Sequence, residues 1–510
     1  MGDITLNLNP QIPSIPSFED KTKIDVRYVV ISPYASIHIY WNSSLGELIY
    51  DVEEPILTEE DKSNLLRIQE AMREVVNINM VGVENTQEGI LDYVDKTARL
   101  VISELGLSID EGTYDKMYYY LYRNFIGLNE IEAIMKDYYI EDVECNGVNE
   151  PLYIVHRVFR NMKTSVRFDD MDALANFVEK LAQKTGRYIS YASPILDGSL
   201  PDGSRVNATY TSDISSKGPT FTIRKFTKTP WTPIQLMGFN ELSPEMLAYF
   251  WILLQYKSNL MIVGGTASGK TTLLNALAFF IPFEDRVVSI EDTRELNLPR
   301  ENWLPSVVRS GVSGQGIGDV DMFTLLRGSF RQNPDYVIVG EVRGKEASVL
   351  FQGMASGHAS ISTMHADSVD TVIRRLETPP ISLSPMLVNS LDAVAILTHA
   401  IVNKKETRRL REVVEIVKVE SDGTAMTNTP FSWNPADDKF YYKKDSRIFD
   451  KISIRYGIKR EVLQREFETR TKLLYALFQN RVLSYEAVGK IITEYSKNPG
   501  DVLRKYKIMT

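Results

Sequence analysis

The chain has 510 residues, of which 43% are hydrophobic and 25% are charged, and its formal net charge is −9. A single hydrophobic core rarely grows past about 250–300 residues, so this length predicts at least two domains. The acidic balance argues against a dedicated nucleic-acid-binding protein, which usually carries a basic face. The single cysteine, Cys145, excludes a disulfide framework and a cysteine-rich zinc site within one chain.

The amino terminus and the apolar runs bear on the compartment. The opening stretch "MGDITLNLNP" has neither the basic region nor the apolar core of a signal peptide. The longest apolar run, Met246–Leu254, is too short to cross a bilayer. Cys145 is interpreted as a small buried apolar residue in a reducing compartment. We therefore expect a soluble cytoplasmic protein that can still dock on a membrane protein.

The first predicted elements are an arm and a small module. Residues 1–27 contain three prolines and little periodicity, which favours an extended or disordered arm. Residues 26–31 and 35–40 have the pattern of a short strand pair. Three helical segments follow, the first opening with Thr58 three residues before Asp61, a capping-box spacing. We predict a mostly helical module over residues 28–127.

The pattern changes at about residue 128. A short helix precedes two strands joined at Asn146-Gly147, a strong turn signal, and a capped amphipathic helix and further strands follow. This arrangement predicts an α+β domain over residues 128–228. Residues 229–241 hold two prolines and a glycine, and we interpret them as an inter-domain linker.

Residues 242–510 form the predicted main domain. Between 242 and 400, short apolar strands alternate with helices, which predicts an α/β fold with a parallel sheet covered on both faces. Residues after 400 continue with strand patterns, and residues 446–510 have a helical pattern.

A phosphate-binding loop follows the first strand of this domain. The stretch "GGTASGKT" fits the P-loop pattern G-x-x-x-x-G-K-[ST], with a strand before it and a helix after it. Backbone N–H groups and the helix N-terminus favour phosphate there. We expect Lys270 to reach the β- and γ-phosphates of ATP, and the Thr271 hydroxyl to bind Mg²⁺. The candidate nucleotide-binding residues are Gly264, Gly265, Thr266, Ala267, Ser268, Gly269, Lys270, Thr271 and Thr272.

Hydrolysis also requires a carboxylate that positions water, and metal ligands. Glu341 follows the apolar strand 336–339, and a carboxylate just beyond a parallel strand faces the ligand crevice. We predict Glu341 as the catalytic carboxylate and as a second Mg²⁺ ligand beside Thr271; the alternative is a solvated glutamate at a strand end. Glu291 follows another apolar strand, and with Asp292 and Glu295 it would add carboxylates to the same rim.

Two of the five histidines, His358 and His365, lie seven residues apart in "GHASISTMHADS". A histidine without further context is more often structural, so the pattern alone does not assign either of them a role.

Four stretches occur in order between residues 264 and 368: "GGTASGKTT", "VVSIEDTREL", "LLRGSFRQNPDYVIVGEVRG" and "GHASISTMHADS". Together they resemble the Walker A, Asp, Walker B and His boxes of the secretion ATPase superfamily of type II and type IV secretion and type IV pilus motors. The stretches "IEDVECNGVNEPLYIVHR" and "DGSLPDGSRVNATY" resemble its second N-terminal domain. The resemblance is good over residues 128–440, is loose outside them, and is closest to the archaeal branch of archaellum (archaeal flagellum) motor ATPases.

The resemblance implies a RecA-like P-loop motor domain in a homo-oligomer, a hexameric ring with ATP at the subunit interfaces. It implies that Glu341 positions the attacking water, that Glu291 assists it and that His365 senses phosphate. Arg205 and Arg224 match N-terminal arginines that reach the phosphates from beside or across an interface, and guanidinium groups suit that role. Surface arginines in salt bridges are the alternative for both. Weaker arginine candidates flank the Walker B strand: Arg327, Arg331 and Arg343.

The resemblance also implies partners: an integral membrane platform protein and other cytoplasmic motor components, with no nucleic acid. The protein would sit at the membrane peripherally, through those partners. Many bacterial relatives carry a four-cysteine zinc module, which a chain with one cysteine cannot form. Three alternatives stay open: the same engine on a type IV pilus or a type II secretion system, a RecA-like nucleic-acid motor, and a scaffold that binds ATP without hydrolysis.

Overall fold

The computed structural model describes residues 6–8, 15, 18, 20–79, 87–226, 229–309, 318–402, 405–420, 423–443 and 445–508. The chain divides into two compact units, residues 1–226 and 227–510. Much of the predicted arm, residues 1–27, lies outside the described residues. Within it, Asn7 forms a bridge with Ser32, and Leu6 and Leu8 are buried.

The first unit holds a mixed sheet with helices. Its described strands are β1 (Asp25–Ile31), β2 (Ala35–Asn42), β3 (Glu47–Glu53), β4 (Ile140–Cys145), β5 (Pro151–His156), β6 (Arg160–Arg167), β7 (Ile195–Ser199), β8 (Arg205–Thr209) and β9 (Thr220–Arg224). Its described α-helices are α1 (Glu59–Asn79), α2 (Gln87–Glu104), α3 (Glu111–Leu121), α4 (Glu132–Lys136) and α5 (Met171–Lys184). The strand order is β1-β2-β3-β6-β5-β4-β9-β8-β7.

One sheet runs through both predicted N-terminal parts. The pair β1–β2 is antiparallel, as the sequence predicts, but β3 also pairs in parallel with β6 through Ile49–Lys163 and Tyr50–Thr164. A single hydrophobic core contains residues from both sides of position 127, Tyr50 and Ile131 among them. The predicted border at 127/128 therefore does not coincide with a border between compact units, because three strands of the helical module complete the sheet of the next part.

The second unit is an α/β fold, which confirms the predicted fold class. Its described strands are β10 (Leu260–Gly264), β11 (Val287–Glu291), β12 (Trp303–Val307), β13 (Tyr336–Val339), β14 (Ala359–Met364), β15 (Ala393–Val402), β16 (Lys405–Val419), β17 (Ala425–Asn434) and β18 (Lys439–Tyr442). Its described α-helices are α6 (Pro233–Gly238), α7 (Pro244–Gln255), α8 (Lys270–Leu277), α9 (Met322–Ser329), α10 (Glu346–Ala355), α11 (Val369–Glu377), α12 (Pro385–Val388), α13 (Arg447–Tyr456), α14 (Arg460–Gln479), α15 (Tyr485–Lys497) and α16 (Pro499–Lys505).

The sheet of this unit has the order β12-β11-β13-β14-β10-β15-β16-β17-β18. Every pairing from β12 through β15 is parallel, and β15–β16, β16–β17 and β17–β18 are antiparallel. Strands β10, β11, β13 and β14 are buried along their whole length, as apolar strands covered on both faces require. Their carboxyl ends therefore meet along one edge of the sheet, where ligands of such folds bind.

The segment predicted as a linker, residues 229–241, differs from that expectation. Thr232 and Gln235 form a reciprocal capping box, and helix α6 follows with proline in its first turn. Ile234 and Leu236 are buried in the core of the second unit. Burial of these two side chains fixes the segment from Thr232 onward to the second unit.

The carboxyl-terminal residues are helical, as the pattern of residues 446–510 predicts, with α13 to α16 in the described part. Arg470 of α14 lies 4.7 Å from the Trp251 ring centroid of α7 and pairs with Glu466 at 2.8 Å. Among the helices that the structure describes, none is long and apolar enough to cross a membrane.

Candidate active site

The P-loop joins the buried strand β10 to helix α8. Gly269 has φ +97°, which favours glycine, and it lies at the N-terminus of α8. A Cβ atom at Gly264 would lie 2.8 Å from the backbone oxygen of Leu397 and 2.4 Å from Ser268 Oγ. The P-loop pattern therefore has a glycine where the loop turns, at Gly269, and another where the loop contacts the neighbouring strand β15, at Gly264. Gly265, Thr266 and Ala267 are exposed.

Lys270 points back into this loop. Its Nζ donates to the backbone oxygens of Gly264 (3.1 Å) and Gly265 (2.8 Å) and lies 3.2 Å from His365 Nδ1. An ammonium group has three hydrogens to donate, and these contacts match them. Burial lowers the pKa of Lys270, and Glu341 partly offsets that effect. The Lys270 ammonium group therefore lies inside the P-loop, at the place predicted for phosphate.

Glu341 and His365 follow neighbouring parallel strands, β13 and β14. His365 Nε2 lies 3.0 Å from Glu341 Oε1, an ion-pair distance without hydrogen-bond alignment. Burial and the charge of Lys270 lower the pKa of His365. A neutral imidazole protonated on Nε2 fits both neighbours, since Nδ1 then accepts from Lys270 and the protonated nitrogen lies next to the Glu341 carboxylate. The three predicted residues therefore form a chain across the ends of three strands.

The loop after Glu341 contains two residues that complete its surroundings. Arg343 Nη2 donates to Glu341 Oε2, and Nη1 lies 3.9 Å from Asp292 Oδ2. The buried Glu346 Oε1 accepts from the backbone N–H groups of Arg343 (2.6 Å) and Gly344 (2.7 Å). Sequence reasoning gave Arg343 little weight and missed Glu346. The spacing "GEVRGKE" was the available signal, since it places a carboxylate three residues after Arg343.

Glu291 lies at the end of β11 and is 2% exposed. Its Oε1 accepts from the backbone N–H groups of Glu295 and Leu296, both at 2.9 Å, while Oε2 has no hydrogen-bond partner among the described residues. Its Cγ packs on Gly340, where an added Cβ would lie 3.1 Å away. Burial raises the pKa of Glu291 to about 7. The structure thus places this carboxyl beside the Glu341 strand end, with one oxygen unengaged.

The remaining nucleotide-binding candidates lie around the same loop. Thr271 and Thr272 are partly buried in the first turn of α8, and Ser268 is buried with its Oγ unpartnered among the described residues. Hard cations such as Mg²⁺ take oxygen ligands. The Thr271 hydroxyl and the Glu341 carboxylate are of that type, so the donor set present fits a magnesium ion.

Arg205 and Arg224 lie in the first unit as directly opposed residues of β8 and β9. Arg205 forms a two-point pair with Asp197 (3.1 and 3.0 Å), and Arg224 Nε donates to Asp142 at 3.1 Å. The two arginines are therefore cross-strand neighbours on the sheet of the first unit, whereas Lys270, His365 and Glu341 belong to the second unit. His358 packs its ring edge-on against Phe330, 4.8 Å between centroids, which is a structural contact.

Comparison with known proteins gives a family match over more than half of the chain. The model of the type II/IV secretion system protein family matches residues 141–439. An uncharacterised protein of Methanocaldococcus jannaschii is 35% identical over 491 residues, covering 93% of this chain and 85% of that protein.

Two further matches are more distant. The type IV secretion system protein PtlH of Bordetella pertussis is 32% identical over 239 residues, covering 42% of this chain and 69% of that protein. Among solved structures, the VirB11 ATPase of the Brucella suis type IV secretion system matches with 25% identity and a TM-score of 0.29, covering 54% of this chain and 92% of that chain.

Proposed function

The chain belongs to the type II/IV secretion system protein family, and we propose that it is an ATP hydrolase driving a membrane-bound filament or secretion machine. The observation that carries the proposal is the contact chain Lys270–His365–Glu341, with distances of 3.2 and 3.0 Å. In this chain the His365 imidazole contacts both Lys270, the proposed phosphate-binding cation, and Glu341, the proposed water-positioning carboxylate. A loop that only binds nucleotide needs the cation and not the carboxylate.

The proposed chemistry follows from which groups hold which protons. Lys270 donates all three hydrogens to protein acceptors, so a bound phosphate has to replace at least one of them. If the phosphate draws Lys270 away from His365 Nδ1, the imidazole becomes free to turn with respect to Glu341. Glu341 then accepts a hydrogen bond from the attacking water and orients it toward the terminal phosphate. Phosphate binding at Lys270 would in this way change the contact between His365 and Glu341.

Magnesium ion and the buried carboxyl Glu291 complete the proposed site. Thr271 and Glu341 would hold the ion, which when bound neutralises charge on the phosphate oxygens. Glu291, at the end of the strand next to that of Glu341, would accept a hydrogen bond from a water molecule at this edge of the sheet through its unengaged oxygen.

We further propose that Arg205 and Arg224 contact the phosphates in a hexameric ring, from within the subunit or across an interface. Their cross-strand pairing supports a joint role, and guanidinium groups neutralise charge that develops on phosphoryl oxygens. Arg224→Ala is then expected to lose turnover and keep nucleotide binding. The control is Arg167→Ala on the same sheet, whose side chain pairs with Asp169 at the surface. Normal hydrolysis by Arg224→Ala would contradict this part.

The machine that we propose is the archaellum, reached through an integral membrane platform protein and other cytoplasmic motor components. The similarity to an uncharacterised archaeal protein over nearly the whole chain supports an archaeal machine, and the choice of the archaellum rests on the resemblance of the sequence. The similarity to a type IV secretion protein supports the alternative of a pilus or secretion machine over part of the chain. Deletion of the gene distinguishes them: loss of swimming supports the archaellum, whereas swimming cells without adhesive pili refute it.

The biochemical part is tested with Lys270→Ala. We expect this variant to lose binding of a fluorescent ATP analogue together with hydrolysis, because Lys270 Nζ is the ammonium group that the loop carbonyls of Gly264 and Gly265 hold inside the P-loop. Lys418→Ala, an exposed lysine of β16 paired with Glu420, is the matched control. Wild-type binding and turnover by Lys270→Ala would refute the proposal.

A further inference from the structure

The sheet order assigns a direction to any nucleotide on this P-loop. Strand β10, which carries the loop, lies between β14 and β15. Glu341 and His365 follow β13 and β14, on one side of the loop. A nucleoside triphosphate that lies along the strand ends with its terminal phosphate at Glu341 would extend its ribose and base toward the other side. That side is formed by the hairpin of β15 and β16. Because this direction assumes that ATP is hydrolysed at Glu341, it rests on the proposed function.

The hairpin touches the P-loop at two places. His399 of β15 has its Nε2 at 3.0 Å from the backbone oxygen of Ala267. Arg408 of β16 pairs across the hairpin with His399, and its Cδ lies 3.3 Å from where a Cβ of Gly269 would be. Arg408 is partly exposed. The Arg408 side chain therefore packs through its Cδ against the glycine that opens helix α8, on the side away from Glu341.

A buried carboxylate lies beside the same glycine. Glu241 is 4% exposed, and its Oε1 lies 3.2 Å from the same Cβ position of Gly269. Neither Glu241 Oε1 nor Arg408 Nε, both buried atoms, has a hydrogen-bond partner among the described residues. Burial raises the pKa of Glu241 to about 7, and the charge of Arg408 opposes that rise. Unsatisfied buried polar groups are costly, so two of them beside one loop indicate a site that a ligand completes.

We propose that Arg408 binds the nucleoside part of the nucleotide, with Glu241 as the counter-charge that positions its guanidinium and His399 holding the hairpin to the loop. A guanidinium plane stacks on the face of a base, and such stacking is tolerant of base identity. Arg408 therefore contributes affinity for nucleotides as a class. Inorganic polyphosphate, which has no base, does not use this contact.

The test compares ADP with inorganic tripolyphosphate by calorimetry on the full chain. For Arg408→Ala we expect the Kd of ADP to rise about 5- to 30-fold, as cation–π and stacking energies predict, and that of tripolyphosphate to stay within about twofold. Lys270→Ala should weaken both ligands, and Lys418→Ala neither. An unchanged Kd for ADP in Arg408→Ala, or an equal loss for both ligands, overturns the inference. A wild-type chain that binds neither ligand refutes the proposed function itself.

Glu241 is tested as a positioning residue through its coupling to Arg408. Glu241→Ala and Arg408→Ala should each raise the KM for ATP and leave kcat nearly unchanged. Glu241→Gln, which keeps the shape and one carbonyl oxygen, should recover part of the loss. In the Arg408→Ala background, Glu241→Ala should have no further effect on KM. Additive effects of the two substitutions, or a loss of kcat alone, contradict the positioning role, and thermal unfolding curves verify that each variant is folded.

Discussion

Substitution of Glu346 by alanine is expected to slow ATP hydrolysis while leaving nucleotide binding intact. Glu346 touches neither the P-loop nor the carboxylate of Glu341 in the described contacts. Its Oε1 instead holds the backbone N–H groups of Arg343 and Gly344 at 2.6 and 2.7 Å. These bonds fix the turn directly after Glu341, from which Arg343 reaches the Glu341 carboxylate.

The size of the effect follows from those bonds. A hydrogen bond to a charged group contributes about 1.5–3 kcal/mol, and Glu346→Ala removes two. Water can satisfy the freed N–H groups in part, so the substitution should destabilise the native turn by about 2 kcal/mol. If that loss appears in the transition state, kcat falls roughly 30-fold, since about 1.4 kcal/mol corresponds to a factor of ten. Glu346→Gln keeps one uncharged acceptor oxygen and should fall less.

Steady-state ATPase assays of the two variants give kcat and KM, and Glu468→Ala, an exposed glutamate of α14, is the control. We expect kcat in the order wild type, Glu346→Gln, Glu346→Ala, with the KM for ATP within about twofold throughout. A kcat for Glu346→Ala within twofold of wild type, in a protein whose thermal stability has dropped, would refute the reasoning. The turn would then support the fold without positioning Glu341.

Two further predictions concern stability. Gly147→Ala should destabilise the first unit by about 2 kcal/mol or more, because φ is +129° and a Cβ would lie 2.5 Å from the Lys217 backbone oxygen. Limited proteolysis measures this loss, and Gly186→Ala, which has open space around its Cβ, should lose less stability in that assay. Equal losses for the two variants would contradict the prediction. Glu291 holds its proton to about pH 7 in the folded protein, so the free energy of unfolding should fall by up to about 1.4 kcal/mol per pH unit as pH rises from its unperturbed pKa of 4.5 to about 7. Denaturant titrations should show that Glu291→Gln removes this contribution, and an unchanged slope would contradict the assignment.

The positions of Lys270 and Glu341 could be predicted from local motifs, whereas His365 was a candidate only through the family resemblance. Glu341 and His365 follow apolar strands, Lys270 opens the helix after the strand that leads into the P-loop, and the carboxyl ends of parallel strands meet at one edge of a sheet. Strand recognition and that rule together place the three residues near one another. The hydrogen-bond partners and the orientation of His365 depend on burial and could not be predicted.

The residues that sequence reasoning missed lie where no such rule applies. Arg408 and His399 meet through the register of an antiparallel hairpin, and Glu241 reaches the same glycine as Arg408 because the 232–241 segment packs into the core of the second unit. The parallel pairing of β3 with β6 joins segments more than a hundred residues apart, which local periodicity does not encode. Non-local register of this kind depends on tertiary packing.

The central claim is that Glu341 enables hydrolysis of a nucleotide held by Lys270. The most direct measurement is the rate of phosphate release by Glu341→Gln, compared with wild type at saturating ATP, with ATP binding measured on the same samples. The contact chain predicts wild-type binding and a loss of turnover of at least about a hundredfold. Equal rates for the two proteins would contradict it and would favour a scaffold that binds ATP without hydrolysing it.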